Sequence, residues 1–95
     1  MKGFLSFLVL HLISKNEMSG DEIRKEIEQR KGCLPSAGTV YPVLKDLKLK
    51  GLIEDVGVGK KVKKYRITSE GKKEMKIVAK EFVGMFYDVS EGFGR

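Results

Sequence analysis

Ser36-Ala37-Gly38-Thr39-Val40-Tyr41-Pro42-Val43-Leu44-Lys45-Asp46-Leu47 is the stretch that decides the fold, together with Gly51-Leu52-Ile53 and Tyr65-Arg66-Ile67-Thr68 downstream. Val40, Val43, Leu44 and Leu47 recur at three- and four-residue spacing, so they form the buried stripe of a helix. Tyr41, Lys45 and Lys48 fall off that stripe and point outward. Ser36 and Thr39 both qualify as N-cap. With Thr39 as cap, Pro42 sits at the third helical position, where its missing N–H has no partner to lose. With Ser36 as cap, Pro42 lies opposite Gly38, whose lack of a Cβ eases the crowding. Gly51 is placed to end the helix as a left-handed C′ residue.

Residues 52–58 and 62–68 read as two strands around Gly59-Lys60-Lys61, with Gly57 and Gly59 permitting a tight turn or bulge. Tyr65 and Ile67 alternate with Lys64 and Arg66, so one face of the ribbon packs and the other is basic. Upstream, residues 2–14 form a helix apolar on most faces, which requires burial on several sides. Lys15-Asn16-Glu17 is a turn. Ser19 with Glu22 three residues on makes a capping-box pattern for a second helix running to Lys31, with Ile23 and Ile27 inward. Thr68 or Ser69 caps a last helix. Its Met75, Val78, Phe82, Met85 and Val89 repeat at 3-4-3-4 spacing, a heptad seam.

Charge placement narrows the function. The chain of 95 residues carries a net +6, but residues 60–80 hold nine basic and two acidic side chains, a local balance of +7. The remaining residues hold ten basic and eleven acidic side chains, a balance of −1. A solvated face evolved for solubility would intersperse its charges, whereas this concentration on the ribbon and the helix after it suits contact with a polyanion. A helix opening with hydroxyl groups, followed by a cationic ribbon, is the arrangement by which a winged helix-turn-helix meets double-stranded DNA. The helix offers short polar side chains to base edges, and the ribbon offers ammonium groups to phosphates. The expected architecture is mainly α with a small β-hairpin wing. Residues 1–68 form the winged helix-turn-helix DNA-binding domain, and residues 69–95 form a C-terminal dimerisation helix.

Other classes lose support. The apolar run at residues 4–13 is far below the roughly 18–20 residues that span a bilayer, so no membrane association is expected. One cysteine excludes an internal disulfide framework and suits a reducing, cytoplasmic compartment. No nucleophile–base pair, glycine-rich phosphate loop or His/Cys cluster is present, so neither an enzyme, a metal site nor a cofactor is expected. His11 on an apolar helix reads as a core histidine, and Cys33 as an inert thiol. A winged helix can also serve protein–protein assembly. That use would need an apolar patch where this chain carries lysine.

The quoted block, Gly51-Leu52-Ile53, Tyr65-Arg66-Ile67-Thr68 and Gly71 together resemble the PadR family of transcriptional regulators over residues 2–75. Gly20-Asp21-Glu22-Ile23 is similar to the family's Gly-Tyr-Glu-Ile, with Asp21 where an aromatic is common. The resemblance implies a dimer that binds inverted-repeat operators, usually as a repressor released by a small ligand. It implies that Ser36, Thr39 and Tyr41 sit at the operator-facing start of the recognition helix. Tyr41 would contact phosphate or a thymine methyl, or else pack under the wing. Lys45, Lys48 and Lys50 suit phosphate contacts. Lys60, Lys61, Lys63 and Lys64 form the wing tip, and Arg66 is either a wing contact or a strand-end ion pair. Between the first and last helices, Phe4, Phe7, Leu8, His11, Met75, Val78, Phe82, Met85, Phe86 and Val89 mark either a pocket for a small aromatic effector or a closed homodimer core. Some relatives use tryptophan against planar drugs; this chain has none.

Overall fold

The computed structural model describes residues 3–57 and 61–93; within the last helix, side chains are described at residues 69–81, 83 and 84. Helix α1 (Gly3–Lys15) leads into a two-residue strand β1 (Met18–Ser19), followed by α2 (Gly20–Lys31) and α3 (Ala37–Leu49). Strands β2 (Ile53–Val56) and β3 (Lys64–Ile67) form the wing, and α4 (Ser69–Phe93) closes the order. The sheet is antiparallel with strand order β1-β3-β2. The fold is thus mainly helical with a small wing, as the sequence implies.

Two details differ from the sequence reading. The strands start at Ile53 and Lys64 rather than at 52 and 62, the second ends at Ile67 rather than at 68, and a third strand joins them. Residues 58–60, where the first strand is expected to end and the turn to lie, are outside the described residues. Met18 pairs with Tyr65 and Ser19 with Lys64. Two residues carry no readable alternation, and β1 exists only because the start of α2 lies against β3.

The local signals explain most of the remaining geometry. The Ser19 amide donates to Glu22 Oε1 at 2.9 Å and the Glu22 amide to Ser19 Oγ at 3.2 Å, a complete capping box. Ser36 occupies the N-cap of α3, which removes the Thr39 alternative and puts Pro42 inside the helix opposite Gly38. At the other end Gly51 adopts φ +74°, its amide reaching Lys48 O and the Leu52 amide reaching Leu47 O, both at 3.0 Å. These two bonds make a Schellman motif, which turns the chain straight from α3 into the wing.

Thr68 is the cap of α4. Its hydroxyl donates to Gly51 O at 2.6 Å and accepts from the Gly71 amide at 3.0 Å. The Thr68 amide also donates to Leu52 O. The most deeply buried side chains of the core beneath are Val9 and Leu10 of α1, Ile23 and Ile27 of α2, Val40, Leu44 and Leu47 of α3, and Ile53 of β2. Helix α1 touches α2, α3, α4 and β3, which accounts for its many apolar faces. Val78 of the expected seam is buried and Met75 packs on the core, while Ile77 and Val83 of α4 are exposed. The side chains of Phe82, Met85, Phe86 and Val89 lie outside the described residues.

Gly71 is a sensitive position. A Cβ there would stand 2.1 Å from Leu52 O and 2.7 Å from the Ile67 side chain. Helix propensity alone makes alanine better than glycine by about 1 kcal/mol. Contact with a backbone carbonyl reverses that sign, because backbone cannot swing aside as a side chain can. Gly71→Ala is therefore expected to destabilise by about 1–3 kcal/mol, read from the midpoint of urea unfolding.

Candidate nucleic-acid interface

Helix α3 opens on a strip of exposed residues, 36–39, in which Ser36 Oγ and Thr39 Oγ1 lie 2.9 Å apart. Ser36 makes no side-chain cap bond to the helix, so this end carries the partial positive charge of an uncapped helix start. Arg24 of α2 holds the preceding turn by donating from Nε to Pro35 O at 2.9 Å, while its Nη1 pairs with Asp21. That tie fixes how the start of α3 leaves α2. The sequence reading missed it, because an arginine on a charged helix face looks like any other.

Tyr41 is 42% exposed, yet one edge of its ring lies against Gly20: a Cβ on that glycine would fall 2.6 Å from the ring. Tyr41 thus both packs and presents itself. It forms part of a cleft of about 260 Å³ with Ser19, Gly20 and Asp21 at the start of α2, and with Lys61, Val62, Lys63 and Tyr65 of the wing. Helix α3 and the wing meet in this cleft.

The cations of the region differ in their partners. Lys45 and Lys61 are exposed, with no acidic partner among the described residues. Lys50 pairs with Asp46 at 3.0 Å and Lys64 with Glu22 at 3.5 Å. Arg66 donates from Nε and Nη2 to Glu54 Oε1 across the β2–β3 ladder, at 3.0 and 2.8 Å, the ion-paired alternative for this residue. Lys60 lies outside the described residues.

Asp55 has no counterpart in the sequence reading. It follows Ile53 on the inward face of β2 and pairs in register with Tyr65, at a position where alternation calls for an apolar side chain. Its Oδ2 accepts from Lys48 of α3 at 2.5 Å and lies 3.5 Å from Lys63 Nζ. Its Oδ1 is buried without a hydrogen-bond partner among the described residues, an omission that typically costs about 1–3 kcal/mol. The Lys48 hydrogen bond holds the Asp55 carboxyl below its ordinary range and, reciprocally, raises Lys48. Burial pushes the Tyr65 phenol up, with Asp55 adding to the effect.

Away from this surface, Phe4, Phe7, Leu8 and His11 of α1 face Met75, Lys76 and Ala79 of α4 across an apolar groove of about 500 Å³, with Arg30 at its edge. Phe7 and His11 stack with ring centroids 6.3 Å apart, and Lys31 Nζ sits 4.9 Å from the centre of the Phe4 ring. No helix among the described residues is long and apolar enough to cross a membrane.

The sequence profile of the Transcriptional regulator PadR-like family matches residues 9–77, spanning the helix-turn-helix, the wing and the start of α4. The chain belongs to the PadR-like family. An uncharacterised protein of Lysinibacillus sphaericus is 36% identical over 88 residues, covering 86% of this chain and 81% of the relative. A PadR family transcription regulator from Clostridium difficile superposes with a TM-score of 0.79 at 26% identity, covering 98% of this chain and all of that one. A PadR-like transcriptional regulator from Bacillus cereus gives 0.81 at 25% identity, over 92% and 88% of the two chains. A transcriptional regulator from Clostridium thermocellum gives 0.82 at 26% identity, over 98% and 92%. The PadR-like protein is accordingly a DNA-binding transcriptional regulator of winged-helix form, and its α4 extends beyond the matched segment.

The carboxylates of this PadR-like fold predict an acid response. Glu22, through its bond to the Ser19 amide, and Asp55, through Lys48, titrate below their ordinary values of 4.5 and 3.8. A carboxyl with a lowered folded pKa stabilises fully above its unfolded pKa and loses that contribution as pH falls through the folded value. Folding stability should hold down to about pH 5 and decline below it. In the Glu22→Gln/Asp55→Asn double variant the decline should be shallower, measured by urea unfolding across the acid range.

Proposed function

We propose that this protein is a cytoplasmic, homodimeric repressor that binds an inverted-repeat operator and is released by a small aromatic effector. The observation that carries the DNA-contacting part is the cleft where Tyr41 of α3 meets Lys61 and Lys63 of the wing. Beside it stand the exposed hydroxyls of Ser36 and Thr39 and the exposed Lys45. Ser36, Thr39 and Tyr41 read base edges and position the helix; Lys45, Lys48 and the wing lysines 60, 61, 63 and 64 contact phosphates. Arg66 contributes through its pairing with Glu54, which holds the wing strands in register.

Residues 69–95 form the dimerisation helix in this reading. Support comes from the apolar Ile77 and Val83, which one chain leaves exposed on α4, and from the heptad spacing that continues to Val89. The groove beside Phe7 and His11 is the candidate effector site, closed by the partner subunit.

Protein–protein assembly is the second reading. It draws on Leu49 at the end of α3 and Val62 in the wing, 77% and 57% exposed. Leu49 stands between Lys48 and Lys50, and Val62 between Lys61 and Lys63, and isolated apolar side chains among cations are ordinary surface.

Capture of chromosomal fragments by the purified protein, followed by affinity titration across salt, tests the first reading. With six to ten phosphate contacts per dimer, affinity should fall roughly 10³–10⁵-fold between 50 and 200 mM salt. Alanine at Lys60, Lys61, Lys63 and Lys64 together should weaken operator and random DNA alike. Thr39→Val and Tyr41→Ala should instead narrow the gap between them, by about 1–3 kcal/mol for each base pair no longer read. A strict monomer with no preference for any fragment in dilute buffer overturns the proposal. Calorimetry with planar aromatic compounds tests the effector, and an operator complex indifferent to all of them removes that part.

A further inference from the structure

Most ion pairs on this surface join two half-exposed side chains, as Arg66 does with Glu54 and Lys64 with Glu22. Asp55 is different in three respects. Its side chain is only 21% exposed, it engages cations from two separate elements, and one of its oxygens is buried unpaired. A residue that leaves a polar atom unsatisfied weakens the fold, so its presence on the inner face of the wing calls for another role.

The geometry points to Asp55 as a positioning and specificity residue, which gathers Lys48 of the recognition helix and Lys63 of the wing on one carboxylate oxygen and thereby restrains sequence-independent DNA binding. The inference rests on the DNA-contact reading above. Lys48 and Lys63 remain 46% and 58% exposed, so a phosphate can reach both ammonium groups from solvent. The carboxylate itself shows no free negative face, because Oδ2 is covered by the two cations and Oδ1 is buried. An acidic residue can therefore sit within a DNA-binding surface without repelling the backbone.

Its charge still counts. Two lysines and one carboxylate together carry +1 instead of +2, and the lysines are held at the junction of α3 and the wing rather than free to follow any phosphate. A duplex that docks in register gains from this preordered pair, since little side-chain freedom remains to be lost. A duplex that docks loosely must draw the lysines off Asp55 to use them. The carboxylate thus penalises loose contact more than fitted contact, which widens the preference for the operator.

Affinity titrations across salt with a captured operator fragment and a scrambled duplex of equal length test this. The proteins are wild type, Asp55→Asn, Asp55→Glu and Lys63→Gln, each first checked by thermal melting. Asp55→Asn should steepen the log–log salt slope on the scrambled duplex by about 0.9, the value of one added phosphate contact, and bind it about eightfold tighter at 0.1 M salt. Operator affinity should change less, so discrimination narrows, while Asp55→Glu keeps the wild-type slope. Lys63→Gln leaves Lys48 on the carboxylate and should lower the scrambled-duplex slope by well under 0.9; this variant decides the matter if Asp55→Asn does not fold. An unchanged scrambled-duplex affinity and slope in Asp55→Asn overturns the inference, as does parallel weakening on both duplexes at wild-type melting temperature. Wild-type protein that binds no duplex in a salt-dependent way brings down the DNA-contact reading itself, a separate result.

Discussion

Three elements are tied at one corner of backbone, Gly51-Leu52. The Leu52 amide closes the Schellman motif of α3 on Leu47 O, and the Leu52 carbonyl accepts from the Thr68 amide at the end of the wing. The Gly51 carbonyl accepts from the Thr68 hydroxyl, which also caps α4. Helix α3, the wing and the last helix therefore share hydrogen bonds within two residues. This corner thus fixes the angle between α3 and the wing. Gly71 has no room for a side chain because α4 begins against the same carbonyl.

On that frame the surface is built by assigning partners to cations. Among the described residues Lys45 and Lys61 have no acidic partner, Lys48 and Lys63 share Asp55, Lys64 leans on Glu22, and Arg66 is spent on Glu54. Among the described residues, the cations of α3 and the wing are therefore graded, from exposed ammonium groups with no acidic partner to pairs that shape the wing. Graded availability matters for a DNA-binding protein. On the inference drawn above, unpaired lysines raise affinity for every sequence, whereas lysines held by Asp55 favour a duplex that fits.

The periodic and local features were legible in the chain. Val40, Leu44 and Leu47 announced the buried face of α3, Ser19 with Glu22 announced the start of α2, and Gly51 announced the end of α3. Ser36 against Thr39 stayed open, since both are good caps. The two-residue strand β1 was hidden because its pairing with β3 spans more than forty positions and leaves no periodic trace. The excess charge of the wing could be counted, but which lysines were free could not.

Sequence alone determined the helix-turn-helix with its cationic ribbon, because spacing, caps and glycines act over three or four residues and are written where they act. Only the tertiary structure decided that Gly20 must lack a side chain for the ring of Tyr41, that Arg24 holds Pro35, and that Asp55 faces inward between Lys48 and Lys63. Each of these joins residues from different elements. The partner of a side chain depends on how helices and strands pack, and packing is a property of the whole core rather than of any segment.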